Sequence, residues 1–211
     1  MDLSRISEDL RAAFDAKTSA REETLSASRR SIRASANAIR AIHRGEFDEA
    51  RRLMADSRAA LEAGRAASRQ TQPDIYFAGF LQDAQKEYAE ARLTEAVIVG
   101  AEPPPPEELG VEVAPYLNGM AEAIGEGRRA ILDLLRRGEV ADGERILAAM
   151  DDIYALLVTV DYPDAITGNL RRSTDVARGI LEKTRGDLTM SLVQGDLRDA
   201  LDRHAREMRD G

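Results

Sequence analysis

DIYFAGFLQDAQKEYAEARLTEAVIV, residues 74–99, is the stretch on which the fold turns. At 100° per residue, its Phe77, Phe80, Ala84, Tyr88, Ala91 and Ile98 fall within a narrow arc, the pattern of an amphipathic helix. Glu87 lies at the edge of that arc, and Glu90 and Asp83 lie further round its flank. Pro73, just before it, is tolerated in a first helical turn. No alternating strand pattern flanks the stretch.

Working outward, the same period continues almost end to end, carried by Ala, Arg, Leu and Glu, all good helix formers. Upstream, Leu3, Ile6, Leu10, Phe14, Leu25, Ile32, Ile39 and Ile42 make a long stripe that Gly45 stops. A second helix covers 46–70. Downstream, Pro103–Pro106 cannot continue a helix and marks a loop. Residues 113–137 follow, with Val113, Leu117, Met120, Ile124, Ile131 and Leu135 on one side, ended by Gly138. A fifth helix covers 140–160. Pro163 opens a sixth that Gly186 breaks, and a short seventh reaches the C-terminus. The expectation is an all-α antiparallel bundle of about seven helices. Residues 1–211 read as a single domain with 103–106 as an internal loop.

The chain has 211 residues and no cysteine, which excludes disulfides, thiolate zinc sites and cysteine nucleophiles. No apolar run approaches the roughly 18–20 residues of a membrane span. The N-terminal MDLSRISEDLRAAFDAKTSAREE is charged throughout and does not read as a signal peptide. The expectation is a cytoplasmic protein without a membrane partner. Net charge is −8, against a general nucleic-acid coat. It is unevenly spread, with a balance of +3 over residues 1–72 and −10 over residues 73–160. A local basic surface in the first third is compatible with the total.

Two acid pairs carry the chemistry. Glu87 and Glu90 lie in KEYAEA (86–91), and Glu122 and Glu126 in MAEAIGEGRR (120–129). Spacings of three and four put both members of a pair on one helix face. If the two helices pack side by side, four carboxylates converge and call for protons or a divalent cation. All-oxygen ligation suits Mg²⁺ or Mn²⁺ rather than zinc. Glutamates are also ordinary on polar faces, and Glu122, Glu126 and Arg129 lie opposite their own helix's apolar stripe, so spacing leaves a solvated face open. His43 and His204 form no Glu-x-x-His pair, which disfavours a di-iron site. His43 closes the first helix, where it suits the helix dipole. Arg29, Arg33 and Arg40 share one side of RRSIRASANAIRAIHR (29–44). They suit a phosphate-tracking surface or a solvated face.

Taken together, these stretches resemble the translin family, specifically its translin-associated protein X (TRAX) branch. RRSIRASANAIRAIHRGEFDEA (29–50) is similar to that family's opening helix, with Ser28, Arg29, His43 and Arg44 at the matching places. KEYAEA is similar to its Q-E-Y-x-E-A, and AEAIGEGRR (121–129) to its A-D-x-x-G-E-x-x-R. NLRRSTDVARGILEKTRGDL (169–188) is similar to its final long helix. The resemblance implies a hollow homo-oligomer, usually an octamer, with RNA inside. It implies a Mg²⁺-dependent endoribonuclease acting on single-stranded or nicked RNA, with Glu87, Glu90, Glu122 and Glu126 as metal and catalytic residues. Arg29, Arg33, Arg40 and Arg129 would hold phosphates. Glu122 stands where the motif has aspartate, and Lys86 where it has glutamine. An RNA- or DNA-binding protein without catalysis is one alternative. Another is an all-α nucleotide pyrophosphohydrolase, whose second Glu-x-x-Asp half is missing because Gly125 stands three after Glu122.

Overall fold

The computed structural model describes residues 2–210, which contain nine α-helices and no strand. These are α1 (Ser4–His43), α2 (Phe47–Ser68), α3 (Pro73–Tyr76), α4 (Phe80–Val99), α5 (Pro106–Leu109), α6 (Val113–Arg137), α7 (Val140–Leu157), α8 (Asp164–Thr167) and α9 (Leu170–Asp210). None is long and apolar enough to cross a membrane. The chain forms two compact units. One holds the residues up to Glu95 with Pro104–Gly119; the other holds Ala96–Pro103 with the residues from Met120 onward.

In the first unit α1 and α2 run antiparallel, joined by the tight turn at Gly45. Their seam is built from small residues rather than large apolar ones. The Ser57 hydroxyl lies 2.8 Å from the hydroxyls of both Ser31 and Ser35, and all three residues are fully buried. Small side chains let the helices approach closely, and the mutual hydrogen bonds remove the cost of burying the hydroxyls. Ser28 donates to the Phe80 carbonyl at 2.6 Å, tying α1 to the start of α4. The Glu112 amide donates to Gln85 Oε1 at 2.7 Å, and the Tyr116 hydroxyl donates to the Pro104 carbonyl at 3.0 Å. These bonds hold the start of α6 against α4. The Tyr76 hydroxyl donates to the Glu112 carboxylate. Burial, reinforced by that carboxylate, raises the Tyr76 pKa above the ordinary phenol value and keeps the donor proton in place.

In the second unit α6, α7 and α9 pack together. Arg185 on α9 donates to the Asp151 carboxylate of α7 at 2.7 Å. Arg128 on α6 reaches the Thr184 hydroxyl at 3.1 Å and Asp187 at 2.8 Å on α9. Ile131, Ile146, Met150, Leu157, Leu181 and Leu188 are buried among them.

The structure departs from the expected helices in several places, among them the sixth, which is divided into α8 and α9 at Gly168 and Asn169, both at positive φ. The helix expected over 74–99 is two, α3 and α4, separated at Phe77–Gly79. Gly79 has φ +102°, a backbone angle that side-chain-bearing residues disfavour. Phe77 is therefore outside the helical stripe and 67% exposed. The break expected at Gly186 does not occur. An interior glycine costs a helix about 1 kcal/mol, and burying Leu181 and Leu188 on either side outweighs it. The expected seventh helix is thus the continuation of α9. Finally, Leu3, Ile6, Leu10 and Phe14 are exposed, because the buried part of α1 begins only at Ala20.

Candidate metal centre

Glu87 and Glu90 sit on α4 among its most buried residues. Tyr88 is 1% exposed, and Ala89 and Ala91 are fully buried, so the helix cannot rotate to carry the carboxylates elsewhere. Glu90 is itself buried at 8% exposure. The Glu87 side chain is about one-quarter exposed, and Lys86 Nζ stands 3.4 Å from Glu87 Oε1.

What brings a third carboxylate here is Gly119 on α6. A Cβ at that position would stand 2.7 Å from the Lys86 carbonyl oxygen and 2.9 Å from the Glu90 amide nitrogen. Both are backbone atoms that cannot yield cheaply, so α6 meets α4 backbone to backbone and only glycine fits. Glu122 follows three residues later, one turn along the same face. One carboxylate oxygen each from Glu87, Glu90 and Glu122 lies within 4.8 Å of the others. Oxygens around one Mg²⁺ at ~2.1 Å are at most ~4.2 Å apart, so a small side-chain rotation closes the set. Three carboxylates this close repel one another, and the all-oxygen donor set fits a hard divalent cation.

Glu126 lies outside this gathered set. It is a further turn along α6, roughly 6 Å by helical rise, with its carboxylate 3.7 Å from Arg129 Nη1. Arg29, Arg33 and Arg40 are all exposed on α1, where Arg40 donates to Asn37 Oδ1 at 2.7 Å. Arg129 is exposed on α6, and His43 occupies the last turn of α1. The positioning role of Gly119 was not read from the sequence. The available signal was a glycine inside a strongly helical pattern, which often marks close approach of another backbone.

No family model matches the chain. An uncharacterized protein of Methanocaldococcus jannaschii is 34% identical over 189 residues, covering 89% of this chain and 83% of that protein. Among solved structures, AfC3PO in complex with duplex RNA is 34% identical, with a TM-score of 0.80 over 89% of this chain and 96% of that one. AfC3PO by itself is 35% identical, with a TM-score of 0.81 over 89% and 97%. The chain belongs to the translin family. A third structure, apo-NeC3PO, is 19% identical at a TM-score of 0.79, covering 90% of this chain and 99% of that one, and shares the all-helical fold.

Proposed function

We propose that this chain is a metal-dependent endoribonuclease, with Mg²⁺ as its ion and Mn²⁺ able to replace it. It acts in the cytoplasm as a homo-oligomer, an octamer by family resemblance, that encloses its RNA. The observation that carries this reading is the convergence of Glu87, Glu90 and Glu122 from two helices locked together at Gly119. These three residues would hold the ion, which would supply neutralisation of phosphoryl charge and a water of lowered pKa. A carboxylate of the set would take the proton from that water. Arg29, Arg33, Arg40 and Arg129 hold backbone phosphates, a contact that gives affinity without reading sequence. Glu126 orients Arg129 from one turn away. That AfC3PO was solved with duplex RNA supports RNA as the ligand class.

The test is cleavage of labelled single-stranded and duplex RNA with Mg²⁺ by the native protein and by Glu90→Gln. The single strand is cut by the native protein, and the variant loses on the order of a hundredfold or more in rate. Equal cutting by both proteins removes the carboxylate set from the mechanism. A second reading, RNA binding without chemistry, draws on the position of Glu126 outside the set. Salt-sensitive binding that leaves the RNA intact after long incubation selects it.

A further inference from the structure

The last part of α9 is an amphipathic helix that its own chain leaves bare. Among the described residues none of α9 after Leu188 is buried, yet the helix runs on to Asp210, a further ~33 Å by helical rise. Met190, Val193, Leu197, Leu201 and Met208 are 58–73% exposed. At 100° per residue they share an arc of about 80°. That arc lies nearly opposite the face on which Ala177, Leu181 and Leu188 are buried. Gly179 and Gly186 extend it upstream, and a Cβ on either would meet nothing within 4 Å. An interior glycine weakens a helix, and the chain's own packing gives no reason for a missing side chain at these two. A second backbone approaching this face does.

We infer that this face pairs with the same face of a second copy, the two α9 helices running parallel. The inference rests on the homo-oligomer of the reading above and deepens it by assigning one interface. Charge selects both the mate and its direction. One edge of the stripe carries Arg198 and Arg209, and the other carries Asp196 and Glu207. Asp202 and Arg203 lie further round, on the flanks turned away. When two like helices pair in parallel, each edge meets the opposite edge of its mate. Both arginines then stand beside acids, on both sides of the seam. The arginines are eleven residues apart and so are the acids, so one alignment satisfies both pairs. In an antiparallel pair each edge meets its own copy, arginine beside arginine and acid beside acid. The exposed stripe at the start of α1, Leu3 to Phe14, is a poorer mate. It is little more than half as long, and its edge acids Asp2 and Asp9 are seven apart, so only one can stand beside an arginine. Pairing two α9 stripes removes on the order of 1,000 Å² from water, the threshold of a specific interface.

The chain has no cysteine, so a single introduced one reports its own neighbour. Met190→Cys and Met208→Cys, at the two ends of the stripe, are made separately in the full chain and oxidised mildly. In the parallel pair each residue faces its own counterpart, so each variant gives a disulfide-linked dimer. Arg206→Cys, on the far side of the helix, gives none, and equal cross-linking by all three overturns the inference. If the pair is antiparallel, only a mixture of Met190→Cys and Met208→Cys cross-links. If α1 is the mate, only a mixture with Leu10→Cys does. Either result overturns the inference. Sedimentation then follows the charges. Arg198→Glu with Arg209→Glu weakens self-association at least about tenfold. Adding Asp196→Arg and Glu207→Arg, which reverses both edges, brings it back to within about threefold of the native chain, and no recovery overturns the pairing. A native chain that stays monomeric overturns the homo-oligomer reading, and this inference with it. An oligomer in which either stripe variant fails to cross-link with itself overturns the interface alone.

Discussion

The glutamate pair on α4 and the pair on α6 have nearly the same sequence signature and different fates. Glu87 and Glu90, three apart, both contribute to the gathered set. Glu122 and Glu126, four apart, are divided, with Glu122 in the set and Glu126 beside Arg129. Residue type and spacing do not distinguish them. What does is the distance of each residue from the crossing point at Gly119. Glu90 lies opposite that glycine and Glu122 one turn from it, whereas Glu126 is two turns away. The acids gathered at this crossing lie within about a turn of it.

Moving the crossing is the most damaging way to break this comparison. Gly119→Ala places a methyl group 2.7 Å from the Lys86 carbonyl oxygen. The helices must separate, at a cost of about 1–3 kcal/mol in stability by overpacking. An ångström of ligand displacement reduces RNA cleavage about a hundredfold. Thermal unfolding and cleavage rate measure the two effects. Full activity in this variant shows that the crossing does not set the ligand positions. Next in size is the contrast within the α6 pair. Glu122→Gln weakens Mn²⁺ binding at least about tenfold, and Glu126→Gln by less than about threefold, on the scale of ligand against outlying residue. Calorimetric titration compares them, and equal losses would place Glu126 in the coordination set. Smallest is Arg129→Ala. Its pair with Glu126 is exposed and of the i,i+3 kind, so unfolding free energy moves by under about 0.5 kcal/mol. RNA affinity drops evenly across sequences, and the salt slope becomes shallower by about one unit.

Much of the fold was legible because helical periodicity is local. The helix over 113–137 has the bounds expected, since Gly138 stops it and its stripe is regular. The break at Phe77–Gly79 was hidden because Ile75, Tyr76 and Phe77 continue the apolar rhythm across it. Gly186 looked like a stop because a glycine's local cost is visible in sequence, whereas the burial of Leu181 and Leu188 is tertiary. Leu3, Ile6, Leu10 and Phe14 form a faultless stripe, yet a stripe does not say whether another element covers it. In the site, Glu87 stood out in the sequence at the edge of the buried arc, whereas Glu90 lay further round its flank. The division of the α6 pair was not, because it depends on where two backbones touch.

The serine seam between α1 and α2 has a consequence for how the first unit opens. Ser57 carries one proton and sits between two hydroxyls, so the row from Ser31 to Ser35 can be donated in either direction with the heavy atoms unmoved. Reversing that order keeps both links, whereas prying the two helices apart breaks both at once. Deuterium exchange at the buried backbone amides along this row therefore follows the parting of the helix pair. Its slow labelling acts as a clock for that separation.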